Sequence, residues 1–520
     1  MSNYNQYTLD KWHEDIMKKE NAINSVNAYV KENGNFPKTI APYLTATTQQ
    51  EQIAKFAWST YERIEDELSE GMYDRNYYKK QPLTFEILTD GQLSIDEEYC
   101  NIFVIKNTLM YSFNGGPWKH YFNEENDLDV VFHEGDIIKF SGSTVSAGEY
   151  DRYSNEYPFV SRTLKEEGLI DGEYVDDPSL ILQEFATFNL SGNVMKIFDT
   201  YRYSGDGLAF APCTYMFNES KVVDATDLIL DDVPIEPPSV SYMNGYFDYM
   251  FSGCSLLTNA PKLTHTDIKN NMYQYMFYEC TSLKEAPELP ATELADYCYY
   301  CMFAFCTSLT APPELPATAL SKYCYYEMFW CSSVTSVPEL PATTLANACY
   351  KQMFSACTGL TSAPAVLSAT TLANNCYEGM FQGCTGLTSA PALPATTLSA
   401  GCYSAMFSNC KSLTTPPELP ATTLAASCYT SMFNACSSLT TSPVLSAATL
   451  TSYCYRNMFS GCTSLRTVTC LATNISASYC TTDWLKNARS SGTFYKASSM
   501  SSWQRTTSGV PSGWTLRSFS

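Results

Sequence analysis

The sequence predicts a multidomain chain: an N-terminal α-helical segment, a β-sandwich-like module and a C-terminal α/β solenoid of about ten 26-residue repeats. Three observations predict it. The 520 residues exceed the ~100 to 200 of a typical single domain. The dipeptide Met-Phe recurs at Met250, Met276, Met302, Met328, Met353, Met380, Met406, Met432 and Met458, at intervals of 26, 26, 26, 25, 27, 26, 26 and 26. Hydrophobic periodicity also changes along the chain, from helical spacing before residue 80 to alternation after it. With 45% hydrophobic and 17% charged residues, there is enough apolar material for a core. No run approaches the roughly 18 apolar residues of a membrane-spanning helix, and the first twenty residues lack a signal-peptide core. The expectation is a soluble protein made in the cytoplasm, with no membrane insertion.

Residues 1 to 80 carry two amphipathic patterns, Leu9, Trp12, Ile16, Ile23, Val26 and Val30, then Ile53, Phe56, Ala57, Tyr61, Ile64 and Leu68. Asn33-Gly34 and Pro37 separate them. They read as a helical hairpin docked on its own chain, or as a segment for oligomerisation with other copies or for anchoring in a larger assembly.

Residues 82 to 199 read as the β-sandwich-like module, from the alternation in Thr84-Phe85-Glu86-Ile87-Leu88, the turn signals Asp90-Gly91 and Asn114-Gly115-Gly116, and the run from 129 to 140. Residues 86 to 245 hold 9 basic and 29 acidic side chains and so carry nearly all of the net charge of −22. Such a surface repels nucleic acid. The acidic stretch from 171 to 177 lacks EF-hand spacing and reads as solvated surface, so no metal is assigned. Residues 200 to 245, with Asp231-Asp232-Val233-Pro234, form an acidic, Pro-rich connector. In it, Met216-Phe217 reads as a vestigial first repeat that caps the solenoid.

The solenoid spans residues 246 to 490, and residues 491 to 520 form a C-terminal cap. In a representative unit beginning at Cys384, Thr396-Thr397 offers an N-cap, and Leu398, Cys402 and Met406 follow at i, i+4 and i+8. Tyr403 and Phe407 widen that stripe, so each repeat is expected to contain a short helix packed on a core. The preceding Leu-Thr-x-Ala-Pro-x-Leu-Pro allows only a short strand, because proline lacks the ladder donor. One strand and one helix per 26 residues is the pattern of a leucine-rich-repeat solenoid.

Of the 21 cysteines, nineteen lie at or beyond Cys254. Cys298, Cys324, Cys349, Cys376, Cys402, Cys428 and Cys454 fall on the inward stripe as small buried hydrophobes. Packed helices lie ~8 to 10 Å apart, beyond the ~7 Å Cα reach of a disulfide, which predicts a ladder of reduced thiols. The CxxC of Cys298 and Cys301, near Cys306, has a zinc or redox reading. Against it stand the ordinary repeat positions of Cys298 and Cys306 and a total of four histidines.

The motif Met-Phe-x-x-Cys-x-x-Leu followed by Leu-Pro resembles the BspA-type, or Treponema-type, leucine-rich repeat of gut bacteroidetes and their phages. The closing segment, in which Trp484 and Leu485 replace Met-Phe, is similar to the end cap of such proteins. The stretches LTFEILTDG, YSFNGGPW, EGDIIKFSG and FNLSGNVMKIF resemble a β module that precedes the repeats. The resemblance implies adhesion or ligand binding at a cell or virion surface, without catalysis. Departures are Met272 and Tyr246 at the cysteine position, a one-residue deletion before Cys331 and an insertion between Cys357 and Cys376.

No P-loop, G-x-S-x-G elbow, H-E-x-x-H helix or Rossmann glycine cluster is present, so neither an enzyme nor a cofactor is expected. The structural columns of the repeat are constant while outward positions vary, which fits recognition. Tyr297, Tyr300, Tyr323 and Tyr326 fall on the outward helix face with Trp330 nearby, as a surface for a glycan or protein partner or as lateral packing. Thr310, Thr335, Thr361, Thr388, Thr414 and Thr440 form a second lane, either a sugar-binding row of hydroxyls or a solvated ladder. The expected function is that of a phage virion fibre, head or tail, anchored to other virion proteins through residues 1 to 80 and contacting the bacterial host surface through its solenoid. The alternatives are an exported bacterial surface adhesin and a structural assembly or spacer protein of the virion.

Overall fold

The computed structural model describes residues 82–92, 109–116, 119–120, 131–142, 169–170, 173–174, 186–194, 213, 216–230, 246–506 and 508–519. The expected N-terminal helices lie outside the described residues. The described residues belong to one compact unit, Gln81–Ser520.

Ten strands precede the repeats: β1 (Leu83–Ile87), β2 (Gly91–Gln92), β3 (Leu109–Phe113), β4 (Lys119–His120), β5 (Val131–Phe132), β6 (Ile137–Gly142), β7 (Leu169–Ile170), β8 (Glu173–Tyr174), β9 (Phe188–Asn193) and β10 (Val222–Ile229). Six of them form one sheet in the order β10-β9-β1-β6-β3-β4, parallel only at β10-β9. Alternation buries Leu83, Phe85 and Ile87 and turns Glu86 outward. Among the described residues this is a single sheet with two small pairs, β2-β5 and β7-β8, and not the expected sandwich. The place of a second layer is taken by the first coil of the solenoid: the Phe85 ring meets Phe140, Phe188 and Phe217, the last at 6.3 Å.

Strand β10 belongs to both parts. It pairs with β9 on one side, and on the other Asp224 bridges Asn259, which starts the bridge series Asn259 to Glu285 to Ala311. In the middle repeats the strand shrinks to one bridge per coil, because prolines such as Pro287, Pro312 and Pro391 remove ladder donors. Toward the end of the repeats the ladder lengthens, although Pro443 remains there and coincides with a register irregularity between Thr441 and Val444. Strands β11 (Thr441–Leu445), β12 (Thr467–Cys470), β13 (Gly492–Lys496) and β14 (Trp514–Ser518) make a parallel four-stranded sheet.

The expected helix in each repeat is absent, and no α-helix occurs among the described residues. Its place is taken by a ribbon of turns with a period of four. In one coil Gly401, Ala405 and Asn409 have φ of +63°, +52° and +61°. The amides of Cys402, Ser404, Met406 and Ser408 donate to carbonyls three residues back, at 3.0 to 3.3 Å. The alternate amides of Gly401, Tyr403, Ala405, Phe407 and Asn409 donate to Ala426, Cys428, Thr430, Met432 and Asn434 of the next coil, at 2.7 to 3.0 Å. Half of the backbone donors therefore close the turns and half fasten the coils to each other. The left-handed residues cost about 1 kcal/mol each when they are not glycine, a cost offset by continuous inter-coil bonding. A period of four mimics a helix over two or three steps, since i and i+4 differ by only about 40° on a helix. The run Leu398, Cys402, Met406, Cys410 would drift by about 120° on a helix, whereas the ribbon keeps Cys402, Met406 and Cys410 inside.

The interior consists of columns, one residue per coil. Phe217, Phe251, Phe277, Phe303, Phe329, Phe354, Phe381, Phe407, Phe433 and Phe459 stack at 5.3 to 6.0 Å. Phe217 heads this column, and its amide donates to Met250 of the next coil. A parallel column runs from Phe247 and Tyr273 to Tyr455 and ends under Trp484, whose ring stacks at 6.3 Å on Tyr455. Trp484 takes the backbone place of Met in its coil, its carbonyl accepting from the Phe459 amide, but its ring fills the place left by Thr481. Trp503 and Phe494 close the end against it at 5.5 and 5.9 Å.

The irregular repeats resolve as local adjustments. Ser332, not Cys331, stands in the cysteine column, and the missing residue falls between Ser332 and Val334, after Cys331 and not before it. The extra residue of the longer repeat is absorbed near Val366, which is pushed out to 44% exposure while Leu367 stays buried.

Candidate recognition surface

The turn ribbon turns two residues of every four inward and offers the others to solvent. Outward positions are therefore repeated in lanes whose members lie on hydrogen-bonded neighbouring coils, about 4.8 Å apart. All four tyrosines expected on the outward face are half-buried there. Tyr297 stacks on Tyr323 at 4.7 Å and 8°, and Tyr300 stacks on Tyr326 at 5.0 Å and 15°. Within one coil, Tyr297 to Tyr300 is 6.1 Å and Tyr323 to Tyr326 is 5.7 Å. Their phase is set by left-handed residues, Tyr297 at +58° and Tyr323 at +56°, and not by a helix wheel.

The cluster is larger than the sequence reasoning found. Tyr249 stacks on Tyr275 at 4.5 Å, and Tyr275 meets Tyr300 edge-on at 4.9 Å. Tyr278 meets Phe305, and Phe305 meets Trp330 at 4.8 Å. Aligning the repeats column by column gives the missing signal, since Tyr249 and Tyr275 are one repeat apart. Past this coil the same lanes hold Ala348, Lys351 and Gln352, then Asn375, Glu378 and Gly379. Rings return only at Tyr453 and Tyr479, which stack at 5.1 Å.

Burial pushes the phenols of Tyr275, Tyr300 and Tyr326 up, and that of Tyr278 up to about 12. Each remains a hydroxyl donor at neutral pH. Cys301 lies beneath them and donates to Glu327 Oε2 at 3.3 Å. Lys351 Nζ stands 5.5 Å over the Tyr326 ring and 3.0 Å from Glu378 Oε2.

Thr310, Thr335, Thr361, Thr388, Thr414 and Thr440 are all exposed and form a lane. Part of its hydrogen-bonding capacity is used internally. The Thr335 hydroxyl donates to the Thr310 carbonyl at 3.2 Å and that of Thr388 to Thr361 at 3.3 Å, so at those coils the lane serves as a coil-to-coil fastening.

The cysteines form two interior columns. In one, Cys384, Cys410, Cys436 and Cys462 donate Sγ–H to the Phe carbonyl of the preceding coil at 3.0 Å. In the other, which includes Cys298, Cys324 and Cys454, sulfur lies 3.9 to 4.0 Å from the next coil's carbonyl. All twenty described cysteines are free of disulfides. The reason expected from helix spacing is corrected, because adjacent coils about 4.8 Å apart bring equivalent residues within disulfide range. Burial and carbonyl bonding hold these thiols instead. Cys298, Cys301 and Cys306 do not converge, their sulfurs facing Cys324, Glu327 and Phe277 respectively. Among the described residues no group of His, Cys, Asp and Glu could hold a metal.

In the β module, carboxylates hold loops. The Glu134 amide and His133 keep Asp90 below its ordinary range, and the Asn114 side chain and His133 amide do the same for Asp136.

No protein-family model matches the chain, and no curated protein matches it. Among solved structures, a leucine-rich repeat protein from Bacteroides ovatus is similar, with a TM-score of 0.36 and 16% identity over 60% of this chain and 74% of that one. The chain's own columns show a solenoid of stacked coils in which Leu283, Leu309, Leu360, Leu387, Leu413, Leu439 and Leu465 are each buried in their coil.

Proposed function

We propose that this chain is a non-enzymatic binding protein, a fibre of the head or tail of a phage particle that contacts the bacterial surface through its solenoid. One observation carries the reading. The inner columns are nearly uniform from coil to coil, while the outer lanes vary and gather half-buried aromatic rings on the coils of Met250 to Met328. Packing explains the uniform columns; it does not require a patch of rings on one stretch of surface. Tyrosine and tryptophan combine large contact area with low entropy cost on binding. The sequence pattern of the BspA-type repeat and the buried thiols, which suit assembly in a reducing cytoplasm, point the same way.

The experiment is immunogold labelling with antibody raised to this chain, applied to intact phage particles and to uninfected bacteria. Labelled particles are expected. Label confined to the bacterial envelope would overturn the virion assignment in favour of an exported adhesin.

A further inference from the structure

The aromatic lanes stop between two adjacent coils, and the step has a defined chemistry. Tyr297 covers one side of the Tyr323 ring and Tyr300 one side of Tyr326. In the following coil the equivalent positions are Ala348 and Lys351. The Ala348 methyl, itself buried, is smaller than a phenol ring, so the lane drops from ring to methyl at Tyr323 and the part of that ring beyond the methyl has no ring stacked on that side. Beside it, the Lys351 ammonium stands 5.5 Å above the Tyr326 ring and 3.0 Å from the Glu378 carboxylate. A flat apolar surface, hydroxyl donors, an ammonium donor and a carboxylate acceptor thus follow one another on three successive coils.

We propose that this step binds a neutral saccharide. A pyranose offers an apolar face of C–H groups and a rim of hydroxyls, and the step offers a ring surface rimmed by donors and an acceptor. Lys351 and Glu378 compensate each other, and residues 246 to 520 carry 13 basic and 13 acidic groups, so nothing here selects a charged ligand. A stable protein partner needs about 800 Å² of each surface, far more than a drop of one coil, about 4.8 Å high, which suits a single sugar unit. The proposal rests on the reading of the chain as a binding protein, and it adds the place and the ligand class.

The test is affinity electrophoresis of the full chain in gels containing dextran, mannan, xylan or galactan. At least one polysaccharide is expected to retard the protein. Tyr323→Leu, which keeps an apolar side chain but removes the flat ring, and Glu378→Gln, which leaves the rings intact, are each expected to weaken that retardation tenfold or more. Tyr479→Ala, at the distant Tyr453 stack, should leave it unchanged. Retardation by none of the polysaccharides, or equal retardation of all variants, would overturn the proposal. If particles are still labelled by the antibody in that case, the virion reading stands and only the saccharide step is wrong.

Discussion

Tyr297 and Tyr323, one repeat apart, lie with ring centroids 4.7 Å apart and planes within 8° of parallel. Rings on the outer faces of two packed helices, whose axes lie ~8 to 10 Å apart, could not stack so closely. Coils joined by backbone hydrogen bonds place them there directly, as in the donation from Tyr297 N–H to Lys322 at 3.0 Å.

The turn ribbon makes a prediction of opposite sign to a helix. Ala405 sits at φ +52°, where glycine has no steric cost, so Ala405→Gly should stabilise the protein by about 1 kcal/mol. In a helix the same change would cost about 1 kcal/mol. Denaturant titration gives the sign.

The two cysteine columns should respond differently to serine. Ser220 and Ser332 already stand in the column of Cys410, each within 3.4 to 3.6 Å of the neighbouring Cys sulfur. Cys410→Ser retains a donor for the Phe381 carbonyl and should change stability by less than about 1 kcal/mol. Cys402→Ser lies in the column where sulfur makes only long contacts and should cost about 1 to 3 kcal/mol. Thermal melts of the two variants compare them.

Thiol reactivity should follow burial. Desolvation pushes Cys254, Cys357 and Cys462 up to about 12, leaving almost no thiolate at pH 8. Cys331 is half-buried and should be alkylated first among the described cysteines when the native protein is treated with iodoacetamide. Peptide mapping reads the order, and several disulfides between repeats under non-reducing conditions would contradict it.

Asp248 gives the stability a pH dependence. Its side chain is buried, its Oδ1 lacks a hydrogen-bond partner, and burial pushes the carboxyl up to about 8. The folded value exceeds the unfolded value of 3.8, so the folded state prefers the protonated acid. No cost arises below about pH 4; stability falls as pH rises through the window from 4 to 8 and levels off above it. Asp248→Asn should flatten that slope and raise the melting temperature at pH 8, with little effect at pH 4.

The repeat was legible in the sequence because its Met-Phe, Cys and Leu columns are fixed by packing, and packing tolerates few residue types. The turn ribbon was not, because Leu398, Cys402 and Met406 satisfy helical spacing equally well over that length. The glycines and asparagines at Gly383, Gly401 and Asn409 were the available sign of left-handed backbone every four residues. The outward tyrosines were found with the wrong geometry behind them. Tyr249 and Tyr275 were missed because a wheel drawn for one repeat does not show what neighbouring coils stack together. Met216-Phe217 was legible as a first repeat, but the merging of β10 into that coil was not, because the 34 residues from Met216 to Met250 depart from the regular period.

The most direct measurement of the central claim is a binding isotherm of the full chain on host bacterial cells, for the wild type and for a variant with Tyr297, Tyr300, Tyr323 and Tyr326 all changed to Ser. Because the rings are half-buried, the variant should lose a few kcal/mol of stability, and the comparison is made well below its melting temperature. Affinity for the cells should fall tenfold or more. Unchanged affinity in the folded variant would contradict the account and remove the aromatic lanes from recognition.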